Sequence, residues 1–311
     1  MNDDSSSRAA PHPLTGVALI VALAFIWGFN WPSMRAAVLE ISPWTFRAIC
    51  LAVGTSMLFA IALAGRGRLR VPRREILPLI ALGLLNVSAF HLLTAFGLTM
   101  IGAGRGVILG FTFPLWTVLL GVFVLSERLH RRGVAALICG LGAMALLLGP
   151  EFTTVGRTPL GGLLLIGSAI AWAAATVLFK MRRWTLAARE MAAWQVLIGA
   201  VPVIVGAFLF GPAPDFSGVS ARGLIGLVYS SVIAVSLGQW VWFRILEIMP
   251  ASVASISSLA VPVIGVFASA LLLGEAIGWR ELGALALVLL ALYLVLIGRQ
   301  TVAAMRSLIG R

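Results

Sequence analysis

Charge is scarce in this 311-residue chain: Asp, Glu, Lys and Arg make up only 11% of it, against 60% hydrophobic residues. A water-soluble domain of this length would need far more charge on its surface, which excludes a soluble enzyme or a nucleic-acid-binding protein with a basic face. Carboxylates are rarer still. The eleven are Asp3, Asp4, Glu40, Glu75, Glu127, Glu151, Glu190, Asp215, Glu247, Glu275 and Glu281, and each falls in a tail, a loop or near the end of an apolar run. An ionisable group deep in a membrane usually marks proton or ion traffic, so their placement argues against a pump built on a buried carboxylate. The two cysteines, Cys50 and Cys139, both lie in apolar runs and read as small core residues, not as a disulfide or metal pair. Three scattered histidines, His12, His91 and His130, form no metal-ligand or catalytic cluster, so no enzyme activity, metal or cofactor is expected.

What the chain has instead is long apolar runs, at about 14–37, 44–64, 76–98, 103–125, 133–149, 160–180, 190–211, 222–246, 251–273 and 278–298. Runs near twenty residues match a hydrocarbon core of roughly 30 Å at about 1.5 Å per helical residue. They are apolar on every face, whereas strands of a membrane barrel alternate, so helices are expected. With a mean hydropathy of +1.05, the chain reads as an all-α membrane protein of ten transmembrane helices. Residues 1–13 read as a polar tail without a cleavable signal pattern.

The chain is internally duplicated. Gly102 to Leu129 recurs in altered form 148 residues later, pairing Pro114 with Pro262, Glu127 with Glu275, Leu98 with Leu246 and Ala103 with Ala251. A fixed long-period match signals duplicated architecture. The units are 14–149 and 160–298, joined by an outer loop at 150–159 and followed by a tail at 299–311. Five spans per unit is odd, so the second copy must cross the membrane in the opposite sense, giving two inverted five-helix repeats. Placing both termini in the cytoplasm puts seventeen of the 23 Lys and Arg residues on the inner side. Only Arg35, Arg47, Arg105, Arg157, Arg222 and Arg280 remain outside, a strong positive-inside bias. The net charge of +12 is thereby a topology signal.

Polar chemistry enters the bilayer at few places. His91 is the ionisable side chain near the middle of a span, and the 148-residue offset sets Gln239 opposite it. Either residue can serve a substrate or simply bridge helices. In the first span, Trp27 and Trp31 share a face, Asn30 flanks it, and Pro32 leaves the carbonyl of Gly28 without its helical donor. Trp172, Thr176 and Lys180 form the counterpart in the sixth span. Trp27 and Trp172 lie deep in their spans, while Trp31, Trp44, Trp184, Trp194 and Trp279 read as interfacial anchors. Gly102, Gly106 and Gly110 give small residues at every fourth place ahead of Pro114, and Ala254 and Ser258 do so ahead of Pro262. Close helix contact is expected there, with bent helices offering free carbonyls.

The motif WGFNWP at 27–32, the proline-to-glutamate spacing of spans four and nine, and the five-plus-five duplication together resemble the ten-span EamA-type carriers of the drug/metabolite transporter superfamily. The resemblance covers roughly residues 14–298 and is nearest to bacterial inner-membrane exporters of amino acids and related metabolites. It implies a central cavity drawn from spans 1, 3, 4, 6, 8 and 9, with spans 5 and 10 to the side. By matching motif, that cavity would use Trp27, Asn30, His91, Trp116, Trp172, Thr176, Tyr229, Gln239, Trp242 and Ser258, with Pro32, Pro114 and Pro262 as hinges. The implied activity is secondary transport by alternating access, exporting aromatic or other apolar amino acids or related metabolites. The implied partners are a small-molecule substrate and the lipid bilayer, with no nucleic acid and a monomeric chain. Carriers of phosphorylated sugars or nucleotide sugars are the main alternative, but would want basic residues in the cavity. Multidrug export is another, although the first-helix glutamate of small multidrug relatives is missing here.

Overall fold

In the computed structural model, residues 13–64, 69–126, 131–153, 159–186, 188–248 and 256–309 are described. They form helical units: α1 Pro13–Val38, α2 Pro43–Ala64, α3 Arg73–Met100, α4 Ala103–Leu125, α5 Arg131–Thr153, α6 Leu160–Lys180 and α7 Ala188–Phe210, followed by α8 to α10. The eighth, α8, comprises Ala221–Val228, Tyr229–Leu237 and Gly238–Ile248, and is followed by α9 Ile256–Leu273 and α10 Trp279–Ile309. No strand occurs among the described residues. Six of the helices are long and apolar enough to cross a membrane, and Ala260–Leu273 is a shorter apolar helix. Outward-facing side chains are apolar: Phe208 is 85% exposed and Leu271 79%, a surface that suits hydrocarbon and not water.

In such a chain the backbone must satisfy itself, and the sequence shows how. Pro13 and Pro43 open α1 and α2, where the missing N–H has no helical partner to lose. Ser220 caps α8, its hydroxyl accepting the Gly223 N–H at 3.2 Å. Gly274 ends α9 in the left-handed conformation at φ 68°. Buried hydroxyls donate to the preceding turn of their own helix, as Thr94 does to the Phe90 carbonyl at 2.6 Å and Ser269 to that of Gly265 at 2.6 Å.

The packing has an internal exchange symmetry. α1 lies against α9 and α8, while α6 lies against α4 and α3; α2 pairs with α7, α4 with α9 and α5 with α10. Swapping each helix for the one five places along leaves this set of contacts unchanged. α5 and α10 pack chiefly on each other, to the side. Both α3 and α8 widen to a π-helical stretch, Gly83–Ala89 and Tyr229–Leu237. Each stretch meets a helix of the other half through a valine and a glycine. A β-carbon on Gly199 of α7 would stand 2.4 Å from Val87, and one on Gly54 of α2 would stand 2.5 Å from Val235.

Carboxylates tie the corners of the two halves. The Glu40 carboxylate, after α1, accepts the Ser220 N–H at 2.6 Å and the Ser220 hydroxyl at 2.7 Å. Glu75, at the start of α3, accepts the backbone and side-chain donors of Thr185 at 2.8 and 2.6 Å. The Ser220 bonds hold Glu40 below its ordinary value of 4.5. A lowered carboxyl pKa contributes stability above 4.5 and loses it as pH falls through the lowered value. Melting temperature in detergent should therefore drop on acidification below about pH 4.5, and Glu40→Gln should flatten that limb. Identical acid limbs in both proteins would show that this link does not contribute.

Candidate functional site

Six helices surround a cavity of about 360 Å³. α1 presents Trp27, Asn30, Trp31 and Met34, the i, i+3, i+4, i+7 face of one helix. α6 presents Trp172, Thr176 and Lys180, one face at every fourth residue. α4 contributes through a break: it runs Ala103–Gly110, leaves helical geometry at Phe111 and Thr112, and restarts as Phe113–Leu125 with Pro114 in the first turn. Phe111, Phe113, Pro114, Thr117 and Val118 line the wall at that break. α2 adds Arg47, α3 adds Phe90 and His91, and α8 adds Ala234, Val235, Gln239 and Trp242.

Aromatic rings form two facing groups that obey the same exchange symmetry. Trp27 of α1 stacks obliquely on Trp242 of α8 at 5.8 Å, and Trp172 of α6 meets Phe90 of α3 edge-on at 4.6 Å. Phe113 adds a third ring, 5.6 Å from Trp172. Polar groups are few. The Nδ1 atom of His91 and the Oδ1 atom of Asn30 are buried without a hydrogen-bond partner. Arg47, 1% exposed, donates its Nε–H to the His91 carbonyl at 2.8 Å and a terminal N–H to the Met34 thioether. Among the described residues, no three His, Cys, Asp or Glu side chains cluster as a metal site would require.

Seven of the ten expected lining residues meet here: Trp27, Asn30, His91, Trp172, Thr176, Gln239 and Trp242. Trp116 and Tyr229 do not line the cavity. Trp116 donates its indole N–H to the Thr112 hydroxyl at 3.3 Å, and Tyr229 donates its hydroxyl to the Ile26 carbonyl at 3.1 Å. The side chain of Ser258, like Glu127, lies outside what is described. Of the three prolines expected as hinges, Pro114 follows the break in α4, whereas Pro32 and Pro262 sit inside continuous helices. Trp31, expected as an anchor, is 5% exposed and inside. Its ring fills the notch left by Gly110, where a β-carbon would stand 2.5 Å from it. Sequence reading also missed Met34 and Thr117, which simply continue the faces of Trp27 and Pro114. For Arg47, read as an outer-loop cation, no sequence signal was available.

Beyond Trp31 and Met34, a polar latch joins the halves across the end of the bundle. Glu275, just after α9, accepts the N–H groups of Ala103 and Gly104 at 2.7 and 2.9 Å, at the start of α4. A carboxylate on a helix N-terminus meets unpaired donors and the positive end of the helix dipole. Arg35 of α1 pairs with the same carboxylate at 3.3 Å and also donates to the carbonyls of Leu98 and Ile101 at the end of α3. Beside it, Arg105 meets Glu281 at 2.8 Å. At the opposite end of the cavity, Lys180 is exposed.

A helical, lipid-surfaced chain built around a metabolite-sized cavity defines a membrane transporter of small molecules. The chain belongs to the EamA-like transporter family, whose sequence profile matches residues 14–149 and again 159–297. Among its relatives, the uncharacterized transporter YvbV of Bacillus subtilis (strain 168) is 31% identical over 290 residues, 91% of this chain and 92% of its own length. A protein of Escherichia coli (strain K12) named "Probable amino-acid metabolite efflux pump" is 27% identical over 191 residues, 59% of this chain and 64% of its own length. One solved crystal structure aligns with a TM-score of 0.62 at 18% identity, covering 91% of this chain and 98% of that chain, a likeness of fold alone.

Proposed function

We propose that this transporter exports amino acids with aromatic or other apolar side chains, or closely related metabolites, by alternating access. The carrying observation is the pair of facing aromatic groups, Trp27 with Trp242 and Trp172 with Phe90, around a small cavity. At about 360 Å³ the space lies near the lower end of the roughly 300–1,000 Å³ usual for ligand sites, which favours a single metabolite over a nucleotide sugar. The similarity to a protein named as an amino-acid metabolite efflux pump supports the same reading. The working architecture is ten spans in two inverted five-helix repeats, both termini cytoplasmic, acting as a monomer. In that arrangement the Glu275 latch faces outside, and Lys180 lies at the cytoplasmic mouth.

Arg47 and Lys180 in the lining favour a second reading, a carrier of phosphorylated sugars. Purified protein in liposomes, offered radiolabelled amino acids, cationic drugs and sugar phosphates, separates the readings; uptake of sugar phosphates alone would sink the first. Trp27→Ala and Trp172→Ala should each weaken binding about five- to two-hundred-fold, since an aromatic contact is worth roughly 1–3 kcal/mol. At least one should do so at near-unchanged melting temperature, whereas side chains that only anchor helices would change melting and leave affinity alone. An alkaline phosphatase fusion at Arg311 should be inactive; an active fusion would reverse the topology.

A further inference from the structure

Among the described residues, no carboxylate pairs with Arg47, a buried cation. It enters from the first turns of α2, and its side chain runs inward to the His91 carbonyl. The groups bonded to it are that carbonyl and the Met34 sulfur, and its guanidinium lies over the Phe46 ring at 5.0 Å; none of the three carries a negative charge. The ion pairs among the described residues join Arg35 to Glu275 and Arg105 to Glu281, not Arg47 to any carboxylate. None of the residues lining the cavity is acidic, and Lys180, the other cation there, lies at the exposed end. A guanidinium held in an apolar wall without an anion is costly. With Nε and one terminal nitrogen donating to His91 and Met34, the remaining terminal N–H groups are those that can meet a carboxylate.

We infer that Arg47 recognises the carboxylate of the transported molecule and thereby restricts the cavity to substrates that carry one. The inference rests on the amino-acid reading of the same cavity and adds the group that selects within it. The substrate's carboxylate lies against Arg47 at the end nearer the latch, and its side chain lies among Trp27, Trp172 and Phe90. A carboxylate suits this site better than a phosphate, because Lys180 lies at the exposed far end of the cavity and leaves Arg47 alone to meet a dianion.

The test is a ligand series on the whole purified protein by calorimetry: phenylalanine and tryptophan, their carboxamides, the corresponding amines, and phenyl phosphate. With wild-type protein, the amino acids should bind about ten- to a hundredfold more tightly than the amides and amines, the range expected for losing a charge-assisted pair. Arg47→Gln should bind acid and amide equally, and Arg47→Lys should restore part of the preference. The wild-type series does not depend on any variant folding. Amides that bind as tightly as acids would overturn the role of Arg47 while leaving the aromatic cavity in place. Phenyl phosphate binding more tightly than the carboxylates would overturn it in favour of a phosphate site. Binding by no member of the series would sink both this inference and the amino-acid reading.

Discussion

Glu275→Ala should open the latch end of the transporter. The substitution removes a carboxylate that holds two N–H groups of α4 and the Arg35 side chain together. Hydrogen bonds to a charged acceptor contribute about 1.5–3 kcal/mol each when buried. Glu275 is 21% exposed in its side chain, so solvent screening lowers the sum to about 2–4 kcal/mol. Tenfold per 1.4 kcal/mol converts that into a population shift of about thirty- to several-hundredfold towards the form open at that end. A cysteine at Val118, in a background with Cys50 and Cys139 replaced by serine, reports it through labelling by an impermeant maleimide applied from the latch side. Val118 lines the cavity, so its labelling rate should rise with opening. Glu275→Gln, which keeps one acceptor, should fall between. An unchanged rate in Glu275→Ala would mean that the seal is made by Trp31 and Met34 alone.

The second large effect is expected from adding one methyl group. A β-carbon on Gly226 of α8 would stand 2.3 Å from the Ser33 carbonyl oxygen and 3.3 Å from the Ala37 nitrogen, both backbone atoms of α1. Backbone cannot rotate away as a side chain can, and α1 has no room to retreat. On another side its Gly28 is seated against Ile264 of α9, where a β-carbon would be 2.5 Å from the isoleucine. Gly226→Ala must therefore force α1 and α8 apart, at a cost of about 3 kcal/mol. Melting temperature in detergent should fall by roughly 5–10 °C. Gly218, with nothing within 4 Å of a would-be β-carbon, is the control, and Gly218→Ala should melt like the wild type. Equal melting of the two variants would show that the α1–α8 contact is looser than its geometry.

Much of the cavity was legible because membrane helices keep a fixed period and the duplication supplies each position twice. His91 and Gln239 could be paired by the offset alone, Trp27 and Trp172 by their similar depth in the first and sixth spans, and both pairs line the cavity. The misses fall where the period is broken. Tyr229, placed in the cavity by matching motif, begins the π-helical stretch of α8, and there its hydroxyl turns to the Ile26 carbonyl. Trp116 follows the break at Phe111 and Thr112, which resets the phase of α4. Arg47 failed for another reason. Near a span end an arginine ordinarily extends towards water, which is why it was counted as an outer cation; only the fold shows its guanidinium against the His91 carbonyl. Trp31 looked interfacial beside Pro32, but α1 continues to Val38 and carries the indole inward.

The paired π-helical stretches carry a consequence for ancestry. Gly83–Ala89 and Tyr229–Leu237 occupy matching places under the 148-residue offset, with Val87 and Val235 at identical positions within it. An insertion into a helix is a rare and individually damaging event, so two independent arrivals at one register are less economical than a single one inherited by both halves. That economy favours a widening older than the duplication, carried by an ancestral half-length protein. On the inverted-repeat arrangement proposed above, such an ancestor would insert in both orientations and meet a second copy of itself as α3 now meets α7 and α8 meets α2.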